Sequence, residues 1–164
     1  MNRKENIVRI MELYGDSIYR MSYFVLQNDQ DAQDVLQETL IKYMQKAPAF
    51  QSDSHEKAWL LSVANNLCKD MLRFHKRNRC INLDDLMGSS LEPLTTAGHP
   101  SDNSELIARI FALADKYKRV IYLHYYEGYS VKEIAHILKI SEGAVKKRLE
   151  RGRHQLRQMI EEDM

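Results

Sequence analysis

The most constraining feature of this chain is a spacing. Apolar side chains recur every three or four residues along most of its length, and the pattern lapses once, between Asn82 and Ser104. That period puts one apolar stripe on each helix and does not suit a strand, whose faces alternate every second residue. With only 6 Gly and 3 Pro in 164 residues, little interrupts it. The expected class is all-α.

Three amphipathic segments precede the lapse. Ile7, Ile10, Met11, Tyr14, Ile18, Met21 and Val25 mark a helix over about 4–26. Ala32, Val35, Leu36, Leu40, Tyr43 and Met44 mark a second, ending before Pro48. Trp59, Leu60, Val63, Ala64, Leu67, Met71 and Leu72 mark a third, with Asp53 and Glu56 at the spacing of a capping box. Three such helices can close a small bundle. Trp59, Tyr23 and Phe24 are expected in its core.

The stretch from Asn82 to Ser104 holds Gly88-Ser89-Ser90, Pro93, Thr95-Thr96, Gly98 and Pro100. It is too long for an ordinary loop in a compact domain. It reads as a flexible linker over 80–104, dividing domain 1–79 from domain 105–164. Beyond it, Leu106, Ile107, Ile110 and Phe111 open a short helix. A second covers 115–126, with Gly128 as its stop.

Residues 130–151 have the anatomy of a helix-turn-helix. Ser130 and Glu133 form a capping box, Ala135 is the small residue where two helices cross, and Leu138-Lys139-Ile140 is the turn. Ser141 caps the last helix. Val145, Leu149, Leu156 and Ile160 form its inward stripe. Lys146, Lys147, Glu150, Arg151, Arg153, His154 and Arg157 lie away from it. Such a face presents cations to phosphates and guanine edges, and one carboxylate to a cytosine amino group. Lys139 stands where a turn of this kind usually has Gly; at positive φ it costs about 1–2 kcal/mol.

The net charge of +1 hides a segregation. Asp29, Asp31, Asp34 and Glu38 are unrelieved by any base from 28 to 38. Lys69, Arg73, Lys76, Arg77 and Arg79 face only Asp70 from 66 to 79. Five acids and no Lys or Arg occupy 80–105. Eight bases against three acids occupy 130–157. Two basic blocks suggest two contacts with a polyanion, and an acidic block suggests a basic protein partner. Asp31, Asp34 and Glu38 fall within an arc of about 60° on one helix.

Catalysis and metal binding find no support. No Gly-rich phosphate loop and no paired nucleophile and base occur. Cys68, His75 and Cys80 match no compact zinc spacing and lack a fourth ligand. His124 and His136 read as surface or packing residues. No cofactor is expected. Two cysteines make no disulfide scaffold, which fits a reduced cytoplasmic protein. No apolar run approaches the ~20 residues of a bilayer span, and the first residues do not form a secretory signal.

The residues resemble a known family. Glu127-Gly128-Tyr129-Ser130-Val131-Lys132-Glu133-Ile134-Ala135, followed by Ile140 to Leu149 and Arg151-Gly152-Arg153, is similar to the fourth region of bacterial sigma factors. Leu113 to Leu123 resembles the start of that region. Asp31-Ala32-Gln33-Asp34-Val35-Leu36-Gln37-Glu38 resembles the core-binding helix of the second region, and Trp59 to Arg73 its promoter-melting helix. Size and two-domain layout resemble the extracytoplasmic-function group of the sigma-70 family. The departures are Gln33 for an acid, Ala114 for Pro, Ala144 for Thr and Gly152 for Ala.

The resemblance implies a non-enzymatic factor that binds RNA polymerase core and directs promoter-specific initiation, as in stress responses, with an anti-sigma factor as a further partner. It implies core binding by Asp31, Asp34, Leu36, Gln37, Glu38, Leu40 and Ile41. It assigns melted minus-ten DNA to a loop of Phe50, Gln51, Ser52, Asp53 and Ser54, with Asn66, Lys69 and Arg73 on the next helix. Duplex minus-thirty-five DNA falls to Ser130, Ser141, Lys146, Lys147, Arg148, Glu150, Arg151 and Arg153. Two other classes compete: a helix-turn-helix regulator binding an operator as a dimer, and a protein-binding adaptor. The regulator has no need of the acidic stripe or the Asn/Lys/Arg helix, and the adaptor has no need of two basic blocks.

Overall fold

A computed structural model describes residues 3–81 and 104–162. All regular structure there is helical. The order is α1 (Arg3–Leu26), α2 (Asp29–Lys46), α3 (Asp53–Ile81), α4 (Ser104–Phe111), α5 (Asp115–Ile121), a π-helical turn (Tyr122–Tyr126), α6 (Val131–Leu138) and α7 (Glu142–Glu162). The chain divides into two compact units. One is built from α1–α3 and the other from α4–α7. Most of the segment read as a linker lies outside the described residues.

In the first unit the apolar stripes meet as their spacing demands. Ile10, Tyr14, Ile18, Met21 and Val25 of α1 close on Ala32 and Val35 of α2 and on Leu60, Leu61, Ala64 and Cys68 of α3. Met11, assigned to that stripe, is exposed instead. Gln27 ends α1 at positive φ, and Asn28 caps α2 by accepting the Asp31 N–H at 2.9 Å.

The start of α3 differs from expectation. Ser52, not Asp53, is the cap: its hydroxyl accepts the His55 N–H at 3.1 Å. Glu56 therefore does not close a capping box. It turns inward and is only 5 % exposed.

The second unit packs α5, α6 and α7 around Tyr117, Val120, Leu123, Ile134, Ile137, Val145 and Leu149. The helix expected over 115–126 changes winding at Tyr122. Both predicted caps form: Ser130 and Glu133 exchange side-chain and backbone bonds at 3.1 Å each, and Ser141 accepts the Ala144 N–H at 3.0 Å. Lys139 adopts φ 57° and ψ 46°, and the Ile140 N–H reaches back to the Ala135 carbonyl at 3.1 Å. This is the αL helix stop that Gly normally fills, and the lysine carries its strain.

One stripe residue is corrected. Ile160 is 37 % exposed, while Gly152 is buried on the same helix. A Cβ at Gly152 would stand 3.1 Å from the Ile121 side chain. α7 therefore approaches α5 more closely there than a larger residue allows.

Candidate nucleic-acid and polymerase interfaces

On α2, Asp34, Gln37, Glu38 and Ile41 are exposed, and Leu36 and Leu40 are half-buried. Asp34 accepts from the Gln30 amide at 3.0 Å. Asp31 is set apart from this group. It is half-buried and meets His75 Nε2 of α3 at 2.7 Å, so it ties two helices together. Met44, one turn beyond Ile41, is also exposed and extends the apolar end of the stripe. Its three-residue offset from Ile41 was the available signal.

The connection from α2 to α3 is short because Asp53 and Ser54 belong to the first turn of α3. Gln51, Ser52, Asp53 and Ser54 are exposed, and Phe50 is half-buried. The Phe50 ring stacks on Tyr43 with centroids 6.1 Å apart, and meets Trp59 edge-on at 5.9 Å and His55 at 5.3 Å. Trp59 is therefore half-buried in an aromatic cluster beneath the loop rather than deep in the core.

A partly buried ionic network backs that cluster. Arg9 of α1 donates to both Glu56 oxygens at 3.1 and 3.0 Å, and the Tyr43 hydroxyl donates to one of them at 2.8 Å. The hydrogen bond to Glu56 holds the Arg9 pKa above its ordinary value. Burial, aided by Glu56, does the same for Tyr43, whose phenolate would put a second anion beside the carboxylate.

Along α3, Asn66 and Arg73 are exposed and Lys69 is half-buried. Asn66, Arg73 and Arg77 share a helical arc of about 40°. Arg73 lies 3.8 Å from Asp70. Phe74, 54 % exposed, flanks this row. The neighbouring Asn65 is 1 % exposed, and neither side-chain polar atom has a hydrogen-bond partner among the described residues.

On α7, Lys146, Lys147, Glu150, Arg151 and Arg153 are exposed, and Arg148 is half-buried. Lys147, Glu150, Arg151, Arg153, His154 and Arg157 line one open groove. His154 and Arg157, on the outward face by their spacing, line it together with the residues assigned to duplex DNA. Ser130 and Ser141 are committed as caps, yet each hydroxyl proton remains free to donate to a phosphate.

The chain as a whole matches a known family. Residues 10–78 match the model described as Sigma-70 region 2, and residues 104–156 match Sigma-70, region 4. The chain is 31 % identical over 153 residues to the ECF RNA polymerase sigma factor SigM of Bacillus subtilis strain 168, covering 92 % of this chain and 93 % of SigM. The chain belongs to the ECF RNA polymerase sigma factors. It is a sigma factor, and its function is to direct transcription.

SigW of the same organism is 29 % identical over 162 residues, covering 92 % of this chain and 87 % of SigW. The fold of the sigma factor RpoE from Bartonella quintana, solved with the anti-sigma factor NepR, superposes at a TM-score of 0.71 with 24 % identity. That match covers 98 % of this chain and 99 % of RpoE. CnrH, solved with the cytosolic domain of CnrY, gives 0.69 at 21 % identity, covering 98 % and 91 %.

Among the described residues no cluster of three His, Cys, Asp or Glu could hold a metal ion, and no helix is long and apolar enough to cross a membrane. Cys68 is buried, and the side chain of Cys80 lies outside the described residues.

Proposed function

We propose that this sigma factor divides promoter recognition between its units, with 1–79 as the region 2 domain, 80–104 as the linker and 105–164 as the region 4 domain. Asp34, Gln37, Glu38, Leu36, Leu40 and Ile41 bind a basic surface of RNA polymerase core. Asp31 supports this stripe through its bond to His75. The loop from Phe50 to Ser52 and the first turn of α3, with Asn66, Lys69 and Arg73, take single-stranded minus-ten DNA. The α7 face takes duplex minus-thirty-five DNA, helped by Arg148 and the capping serines.

The observation that carries this reading is the charge of the exposed faces. An acidic, partly apolar stripe on α2 suits a protein partner, and the α7 groove is cationic apart from Glu150. The chain is not itself an enzyme and acts in the cytoplasm. An anti-sigma factor is its natural antagonist, as the RpoE–NepR pair illustrates for a protein of this fold. Run-off transcription with purified core tests the reading. Promoter-specific transcripts that require the chain are expected, and unchanged initiation with and without it would refute it.

A further inference from the structure

The π-helical turn Tyr122–Tyr126 is closed by the Glu127 N–H on the Tyr122 carbonyl at 3.1 Å. Such a turn accommodates one extra residue, and these turns often sit at functional sites. Here Tyr122 and Leu123 stay in the core, while Tyr125 and Tyr126 are 57 % and 60 % exposed, the Tyr126 ring stacked on Tyr122 at 5.1 Å. The Tyr125 hydroxyl accepts a hydrogen bond from Arg153 Nη1 of α7 at 2.8 Å. Its ring rests edge-on against His124 at 4.9 Å, and His124 Nδ1 is bonded to the Tyr129 carbonyl oxygen at 2.9 Å. The tyrosine is thus held from two sides, though it is mostly in water.

The pair has spare donors and no acid. Arg153 keeps four of its five N–H groups and Tyr125 keeps its O–H proton. Among the described residues Arg153 enters no ion pair. Arg153 also lines the cationic α7 groove. It lies eleven residues after the first residue of α7, roughly 16 Å along the axis. With that N-terminus in a major groove about 8.5 Å deep, residues so far along reach the backbone and not the base edges.

We propose that Tyr125 and Arg153 form a two-donor clamp on a single backbone phosphate flanking the minus-thirty-five element. The clamp rests on the assignment of α7 to that duplex. It adds a contact from the π-helical turn, outside the helix-turn-helix. Arg153 supplies charge and Tyr125 supplies a neutral donor while restraining the guanidinium, which lowers the ordering cost of binding. The contact positions the protein and carries no sequence information.

The test uses holoenzyme assembled from core and the full chain, on minus-thirty-five duplexes carrying one neutral methylphosphonate at each backbone position in turn. Wild type should lose about tenfold in affinity at one position. Arg153→Ala should lose about tenfold on unmodified DNA, be insensitive at that position, and show a salt slope reduced by about 1. Tyr125→Phe should lose roughly threefold on every minus-thirty-five sequence, with its melting temperature unchanged, and a weaker methylphosphonate effect at the same position. Two results overturn the clamp while leaving the duplex assignment intact: Tyr125→Phe indistinguishable from wild type, or Arg153→Ala relaxing preference at one base pair. Absence of minus-thirty-five protection by wild-type holoenzyme would instead overturn the duplex assignment, and the clamp with it.

Discussion

The two units arrange charge differently around the faces assigned to DNA. The first sets it behind its loop: Arg9, a third exposed, and half-buried Tyr43 close on the buried Glu56, beside the aromatic cluster of Phe50 and Trp59. The second lays Lys146, Lys147, Arg151 and Arg153 on the solvent-facing surface of α7 and keeps its buried cations, Lys118 and Arg119, on α5. On the proposed division of roles, the difference follows from what each unit would hold. A loop that receives an unstacked base gets its shape from what lies behind it. A helix that enters a groove is already rigid and needs only the right groups on its outer face.

The largest effect on stability should come from breaking the network around Glu56. Glu56→Ala removes three hydrogen bonds and leaves Arg9, whose side chain is a third exposed, without its counter-ion; it should destabilise the first unit by about 3 kcal/mol. Glu56→Gln keeps hydrogen-bonding groups at the site and should cost less. Thermal unfolding followed by circular dichroism measures both. Reversing exposed charge on the same unit should act on binding alone. Asp34→Arg with Glu38→Arg converts attraction into repulsion across the core interface, a change of several kcal/mol. Co-purification of core should fail while helicity stays native.

On the second unit the expected effects are smaller and sequence-dependent. Lys147→Ala and Arg151→Ala should each cost about 1–3 kcal/mol if the contact is to a base edge, with relaxed preference at one or two base pairs. Footprints on variant minus-thirty-five sequences read this out, and unchanged affinity for both variants would remove them from the interface.

Alkaline pH sharpens the contrast further. Hydrogen bonding to Asp29 raises the Tyr19 pKa to about 12, so the native first unit holds a proton that the unfolded chain releases near 10. Its contribution to stability is complete below pH 10 and is lost as pH rises from there towards 12. In the second unit burial lowers the Lys118 pKa, with Asp115 at 3.3 Å opposing. Native Lys118 gives up its proton before the unfolded chain does, so its contribution improves as pH rises towards 10.5. Tyr19→Phe should flatten the alkaline loss, and Lys118→Met should remove the alkaline gain, in pH-dependent denaturation.

Helix periodicity made the architecture legible, because it depends on local spacing. The capping pairs of α6 and α7 were legible for the same reason. What escaped depends on tertiary contact. Ser52 and Asp53 are both good caps, and the inward pull of Arg9 and Tyr43 on Glu56 shows why Ser52 takes the role. Asn65 and Asn66 are identical in sequence terms, yet one is buried and the other exposed, since a 100° step separates their faces. Gly152 replaced Ile160 on the inward stripe because α5 approaches α7 closely at that turn. Tyr125 could not be paired with Arg153 across 28 residues without knowing that a π-helical turn carries Tyr125 and that α7 packs on α5.

The central claim is that the first unit acts on melted DNA and the second on duplex. Permanganate reactivity of minus-ten thymines in holoenzyme carrying Asn66→Ala tests it most directly. Contacts made only after a base leaves the stack stabilise the open complex and not the closed one. The variant should therefore keep core binding and closed-complex affinity, lose thymine reactivity on duplex promoters, and recover much of its activity on a pre-melted bubble. Wild-type reactivity on the duplex, or an equal loss in closed-complex affinity and on the bubble, would contradict the division of labour.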